Sequence, residues 1–200
     1  ERAAAAVPGG DIVVTGSKTG TLFDRYAGTA TFLTGSEFTA GERATGSDAL
    51  VQRLPTVLST HLGAGRNKLF IRGVADSSFN GPSQAVVGEY LGDVRLNYNA
   101  PDPDISLYDV RAVEVIEGPQ GTLYGKNTIG GAIKYVTRRP GQQFRANASF
   151  GIGNYGAVEM KSAVSGPVTN TVAMGIAIMG ANHDGYVRDP VTGRRYNDKK

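Results

Sequence analysis

Apolar and polar residues alternate with period two along the last third of the chain. From Gln143 to Gly153, the residues Phe144, Ala146, Ala148, Phe150 and Ile152 interleave with Gln143, Arg145, Asn147, Ser149 and Gly151. From Ala157 to Ser165, Val158, Met160 and Val164 share one face, with Ser162 as the exception, and Glu159, Lys161 and Ser165 take the other. From Val172 to Ala181, Val172, Met174, Ile176 and Ile178 oppose the small residues Ala173, Gly175 and Ala177. Successive side chains on a strand point to opposite faces, so this spacing predicts three strands of about ten residues. Short turns at 154–156 and 166–170 join them. A transmembrane β-strand has this length and alternation, and so does a soluble meander with one face over a core. The pattern alone leaves both open.

The chain before residue 140 is patterned differently. Leu50, Val51 and Leu54 lie on one helical face within 47–59, with Ser47 or Asp48 placed to cap it and Pro55 to end its first stretch. Lys68 to Gly73 and Ala85 to Val94 read as strands around an Asn/Gly/Pro/Ser loop at 76–84. Pro101 and Pro103 break the chain, Ser106 to Arg111 predicts a short helix, and Ala112 to Glu117 and Ala132 to Thr137 are β-branched strands. Together these predict a compact mixed α+β domain ending near Pro140. Near the start, Asp11 to Thr15 (DIVVT) is a β-branched run between glycines, an extended segment able to pair along an edge. Ser17 to Gly46 is rich in Gly, Thr, Ser and Ala with scattered apolar pairs, and reads as a mobile or weakly ordered linker with room for a short strand.

Composition narrows the classes. The 200 residues hold 28 glycines and no cysteine, which favours many turns and removes disulfides and thiolate metal sites. The formal charge is +3 and the basic residues are scattered, so no stripe suited to nucleic acid forms. No run of 18 apolar residues occurs, which excludes a transmembrane helix. Glu1 to Gly10 is Ala-rich and short, and reads as the start of a mature chain whose export signal has been removed. His61 and His183 stand far apart without a second ligand at metal spacing. Asp102 and Asp104 flank Pro103 as ordinary turn acids, too few to complete a calcium site. The stretch 118–128 suggests a phosphate loop but fails in detail: Gln120 stands where the first Gly is required, and Asn127 follows Lys126. No cofactor and no catalytic constellation is indicated.

The segment Arg111 to Pro140, RAVEVIEGPQGTLYGKNTIGGAIKYVTRRP, holds two strands around a turn with five glycines and one proline. It closely resembles the closing signature of the plug domain of TonB-dependent outer-membrane receptors. The resemblance extends to most of the chain. SDALVQRLP is similar to the plug's early helix, FIRGV at 70–74 to its "IRG" strand, and VGEYLGDVRL at 87–96 to the strand that follows. The matched signature positions are Arg72, Gly73, Glu114, Gly118, Pro119, Gly121, Tyr124, Gly125, Gly130 and Gly131. DIVVT resembles the TonB box, so Asp11, Ile12, Val13, Val14 and Thr15 are the implied TonB-binding residues, engaged as a strand added to the partner's sheet edge. Two departures stand out. Glu117 occupies the place of the family's Arg before Gly-Pro, reversing a charge expected to face the barrel wall, and 17–46 is long for the space between box and plug.

The resemblance implies an α+β plug (mixed sheet with short helices) followed by antiparallel strands from the start of a transmembrane β-barrel. The implied division is a mobile segment at 1–46, a plug at 47–140, and about three barrel strands at 141–200. The family's barrels have about 22 strands, and an open sheet edge in lipid costs several kcal/mol per unpaired backbone group. Three strands cannot make the pore, so either the sequence is an N-terminal fragment or its strands pair with something beyond it. The implied function is TonB-energised import of a siderophore, cobalamin, haem or saccharide across the outer membrane of a Gram-negative bacterium, with the plug and N-terminus facing the periplasm. The implied partners are the periplasmic domain of TonB, outer-membrane lipid and an extracellular ligand such as an iron chelate. A soluble periplasmic binding or signalling module and a truncated remnant are the alternatives. An enzyme is disfavoured, because no titratable cluster is apparent.

Overall fold

The computed structural model describes residues 13–17, 21–62, 65–75, 84–98, 101–185 and 187–196. Asp11 and Ile12 of the DIVVT run lie outside these residues, as does the 76–83 part of the long loop. The chain forms two units, 1–137 and 138–200.

The first unit opens with β1 (Val13–Val14), antiparallel to β2 (Thr21–Leu22). There follow β3 (Thr29–Thr34), α1 (Ala40–Ala44), α2 (Asp48–Arg53), and the hairpin-like pair β4 (Val57–Ser59) and β5 (Leu69–Ile71). The unit is completed by β6 (Val87–Leu91), β7 (Val94–Arg95), β8 (Val110–Glu117), the single turn α3 (Gly121–Tyr124) and β9 (Gly131–Thr137). A five-stranded mixed sheet runs in the order β3-β8-β9-β6-β7. Only the β6–β9 pair in it is parallel.

Strand alternation gives this sheet two faces. Val113 and Val115 of β8, Ile133 and Tyr135 of β9, and Val87 of β6 belong to the main core, which also holds Leu50 of α2, Val57 of β4 and Ile71 of β5. Glu114 and Ile116, Ala132 and Lys134, and Gly88 and Tyr90 take the opposite face, where Tyr90, Ile116, Tyr124 and Ala132 form a smaller cluster with Tyr26 against it. Both faces are covered, so the central strands read as continuous β-branched runs.

Three expectations need correction. The segment 17–46 is not a loose linker from residue 21 onward: β3 lies along β8 through six residue pairs, and Ala30, Leu33 and Phe38 are buried. An edge strand of small and threonine residues is held by its ladder, and it leaves little apolar signal in the sequence. The helix expected over 47–59 stops at Arg53; after Pro55 the chain turns extended and buries Val57 against β5. Ser47 does not cap it with its side chain, which turns instead to Asp102. No helix forms over 106–111. Ser106 Oγ and Leu107 N both donate to the Arg43 carbonyl at the end of α1, and Asp109 takes a left-handed φ of 56° that a helix cannot continue through.

The second unit is an antiparallel sheet in the order β10-β11-β12, from β10 (Arg145–Gly153), β11 (Ala157–Pro167) and β12 (Ala173–Asn182). A small pair, β13 (Val187–Arg188) and β14 (Arg195–Tyr196), follows. The register sets Phe150 beside Met160, Ala146 beside Val164 beside Ile176, and Ala148 beside Ser162 beside Ile178. The apolar alternations of the three strands therefore fall on one continuous face. That face is exposed, Ile152 at 79% and Ile176 at 68%, whereas Lys161 on the other face is only 3% exposed and pairs with Glu159 at 2.6 Å.

Candidate functional site

The N-terminal segment lies against the sheet face that carries Glu114. Val14 is fully buried, and Thr15 to Ser17 make one tight 3-10 turn. Thr15 Oγ1 donates to Glu114 Oε1 at 2.6 Å, and the Gly16 amide donates to Glu114 Oε2 at 2.7 Å. Tyr124 Oη donates to the Gly16 carbonyl at 2.6 Å, and Lys134 Nζ donates to the Thr15 carbonyl at 3.3 Å. Ser17 Oγ closes the turn on the Val14 carbonyl at 2.8 Å.

This arrangement follows from register. Glu114 on β8 sits directly across from Lys134 on β9, which sits across from Tyr90 on β6. One row of the sheet thus presents an acceptor and a cation to the same segment, and an aromatic ring to Tyr124. Lys134 also holds Asp93 at 2.9 Å, and Tyr90 donates to the Tyr124 carbonyl at 3.0 Å, its ring tilted 59° to that of Tyr124 with centroids 4.6 Å apart. Burial pushes the Tyr124 hydroxyl well above its ordinary pKa, and the Glu114 carboxylate pushes it further, so it stays a donor. Hydrogen bonds to a charged group are worth about 1.5–3 kcal/mol each when desolvated. Space is tight at Gly16: a Cβ there would fall 2.0 Å from Ile116 Cδ1, so the buried Ile116 side chain would have to shift.

The sequence-derived positions thus meet in part. Thr15 of the DIVVT run touches Glu114 directly, and Tyr124 holds the next residue, Gly16. Lys134, Gly16 and Asp93 complete the clasp and were not singled out. The alternation of β9, which sets Lys134 on the Glu114 side, is the signal that points to it.

Arg72 and Glu117 meet at a second point. Arg72 Nε donates to Glu117 Oε2 at 2.6 Å, Thr56 Oγ1 donates to Glu117 Oε1 at 3.0 Å, and Arg72 also reaches Thr29 Oγ1 at 3.1 Å. Glu117 is buried and Arg72 half exposed. The reversed charge before Gly-Pro is therefore answered inside this unit by the Arg of the FIRGV strand. Arg72 itself holds a left-handed φ of 54°, next to Gly73 at 72°.

The glycine turn is tied by backbone bonds. Gly118 N donates to Gly130 O, Gln120 N to Thr128 O, and Gly125 N to Gly121 O at the end of α3, which Pro119 precedes. Gly130 N reaches across to Val86 O at 2.9 Å. At Gly131 the strands pass so closely that a Cβ would lie 2.3 Å from Ile116 O, and its φ of 145° excludes most other residues. Tyr124 is buried within this unit's smaller cluster, and Leu123 is partly exposed. Among the described residues, no three His, Asp or Glu side chains gather as a metal ion would need.

A mixed sheet with few helices, closed by a glycine turn and followed by antiparallel strands, is the fold of an outer-membrane receptor plug leading into its barrel. The chain belongs to the TonB-dependent receptor plug domain family, whose model matches residues 24–132. It is 32% identical over 155 residues to the pesticin receptor of Yersinia pestis, covering 74% of this chain and 22% of that protein. It is 29% identical over 154 residues to the vitamin B12 transporter BtuB of Vibrio cholerae serotype O1, covering 75% and 24%. Among solved structures, the ferric yersiniabactin uptake receptor FyuA from Yersinia pestis superposes with a TM-score of 0.71 at 26% identity, over 86% of this chain and 27% of that one. The chain spans less than a quarter of the length of these two curated relatives.

Proposed function

We propose that this chain is the plug-bearing part of a Gram-negative outer-membrane receptor that imports a scarce nutrient, energised by TonB through Asp11 to Thr15. The observation that carries the reading is the outward apolar face of β10–β12. Strands of 9, 11 and 10 residues with an exposed greasy side suit the hydrocarbon thickness of an outer membrane. Residues 47–140 form the main body of the plug, joined by β3 and α1, and 141–200 form the first staves of the barrel. The role is transport, not catalysis.

The relatives' names support a ferric siderophore or a cobalamin as the ligand class ahead of haem or a saccharide. The ligand side is assigned to the loops at 75–84 and 96–103, whose described exposed residues include Gln84, Tyr98, Pro101 and Pro103. The N-terminal segment faces the periplasm. In the resting form Glu114, Tyr124 and Lys134 hold Thr15 and Gly16 to the plug; the engaged form gives the strand to TonB's sheet edge.

The test is a Val13→Pro substitution in the full-length receptor. Proline removes a backbone donor and fixes φ, so it spoils strand addition. Energy-dependent uptake is expected to be lost while ligand binding to whole cells persists. Uptake at the unsubstituted rate would overturn the role of the segment.

A further inference from the structure

The core face of the sheet carries an acidic pair that the import reading leaves unused. Glu89 on β6 and Asp102 in the 101–105 loop are each only 1% exposed, and Tyr135 on β9 is fully buried beside them. Glu89 Oε1 accepts from Asn97 Nδ2 at 3.1 Å, while Glu89 N donates to Asn97 Oδ1 at 2.9 Å. Asp102 Oδ2 accepts from Ser47 Oγ, and its Oδ1 accepts from the Asp104 amide at 2.9 Å. The Asp102 amide donates to Asn67 O at 2.7 Å. Glu89 Oε2 is buried without a hydrogen-bond partner, the Asp102 side chain acts on the same carboxyl, and Tyr135 Oη is buried beside it, also without a partner.

The charged and titratable groups around the pair come from each element packed there. Asp104 shares the Asp102 loop, Tyr135 comes from β9, and Lys68 lines the adjoining cleft just before β5. Asp48 at the start of α2 is linked through Asn67 at 3.2 Å. The cleft is about 10 Å³, room for one water at most and not for a hydrated cation. A carboxyl this dry, with no donor on its free oxygen and a second carboxyl acting on it, favours its protonated form, and that proton supplies the donor Oε2 lacks. Burial raises the Glu89 carboxyl well above the carboxylate range, and Asp102 raises it further, in agreement with the geometry.

We propose that Glu89 keeps its proton at neutral pH and donates it to Asp102, and that this hydrogen bond fastens the 101–105 loop to the sheet, making the plug loosen there under alkaline conditions. When the proton leaves to solvent, two adjacent buried anions remain. The loop is the mobile partner, because β6 is fixed in the sheet by β9 on one side and β7 on the other. The folded state then binds a proton that the unfolded chain has released, so this contribution is full below the ordinary Glu value and falls as pH rises through the raised one.

The experiment is infrared difference spectroscopy of the full-length protein in detergent across a pH titration, with hydrogen exchange at 101–105 corrected for the intrinsic pH dependence. A protonated-carboxyl band should persist well above pH ~4, where an ordinary carboxyl ionises. That band should vanish in Glu89→Gln, whose amide replaces the donated proton, and loop exchange should rise several-fold with pH in the parent but not in the variant. Absence of the band from the parent protein at neutral pH overturns the proposal without need of any variant. A band unmoved by Glu89→Gln and by Asp102→Asn overturns the assignment, and a loop whose exchange ignores the band's titration overturns the fastening.

Discussion

The two units sort their residues in opposite ways. In residues 1–137 large apolar side chains such as Leu50, Ile71, Ile116 and Ile133 are fully buried. In residues 138–200 Phe150, Ile152, Ile176 and Ile178 are exposed, and among the described residues the buried side chains are those of Lys161 and Ala163. For a sheet in water the second arrangement is inside out; for a sheet whose outer face meets acyl chains it is right side out. The same alternation rule thus produces a core in one unit and a coat in the other, and burial, not hydrophobicity, tells them apart.

Truncation should expose that contrast most strongly. Leu50→Ala removes a fully buried side chain and should cost about 2–5 kcal/mol in chemical denaturation of the full-length protein. Ile176→Ala, on the exposed face, should leave that denaturation nearly unmoved in detergent. The contrast should reverse in lipid. Ile176→Arg is expected to cost up to about 2–4 kcal/mol in refolding into bilayers, depending on depth. Equal costs for Ile176→Arg in bilayer and in water would break the comparison.

Smaller effects test the polar groups of the first unit. Glu114→Gln keeps shape but removes the charge that Thr15 and Gly16 donate to, and should weaken the clasp by about 1–3 kcal/mol. A spin label near Thr15 should report greater mobility, with global stability changed less. The smallest effect concerns an exposed group. Glu42 is held down to about 2 by its hydrogen bonds from Arg53, and then from Thr39, within the box that caps α1. Its folded value is depressed, so its contribution is present above the ordinary Glu value and is lost as pH falls towards about 2. Thermal melts between pH ~2 and ~5 should show a shallower acid decline in Glu42→Gln than in the parent.

Much of this was legible in the sequence. The β-branched runs of β8 and β9 and the alternation of β10–β12 announce themselves, because each strand satisfies a period of two within itself. The contacts of β3 are not legible: Thr29 to Thr34 has only Phe32 and Leu33 as large apolar residues, and its partner lies some eighty residues away. Glu117 was readable as a reversed charge but not as the partner of Arg72, since the left-handed bend at Arg72 turns that side chain back toward β8. Asp102 read as a turn acid beside prolines; only the folded chain brings it under Ser47 and beside Glu89.

The strand order has a consequence for how the first unit comes into being. β3, β6 and β7 are made early, yet β3 reaches the others only through β8, and β8 reaches β6 only through β9. The nascent chain therefore carries orphan edges until residue 137 has emerged, and long-range pairings of this kind close slowly. A chaperone that shields unpaired strands would be needed for most of synthesis, and any stall before the second glycine of the Gly130-Gly131 pair would leave a sticky, unfinished half-sheet.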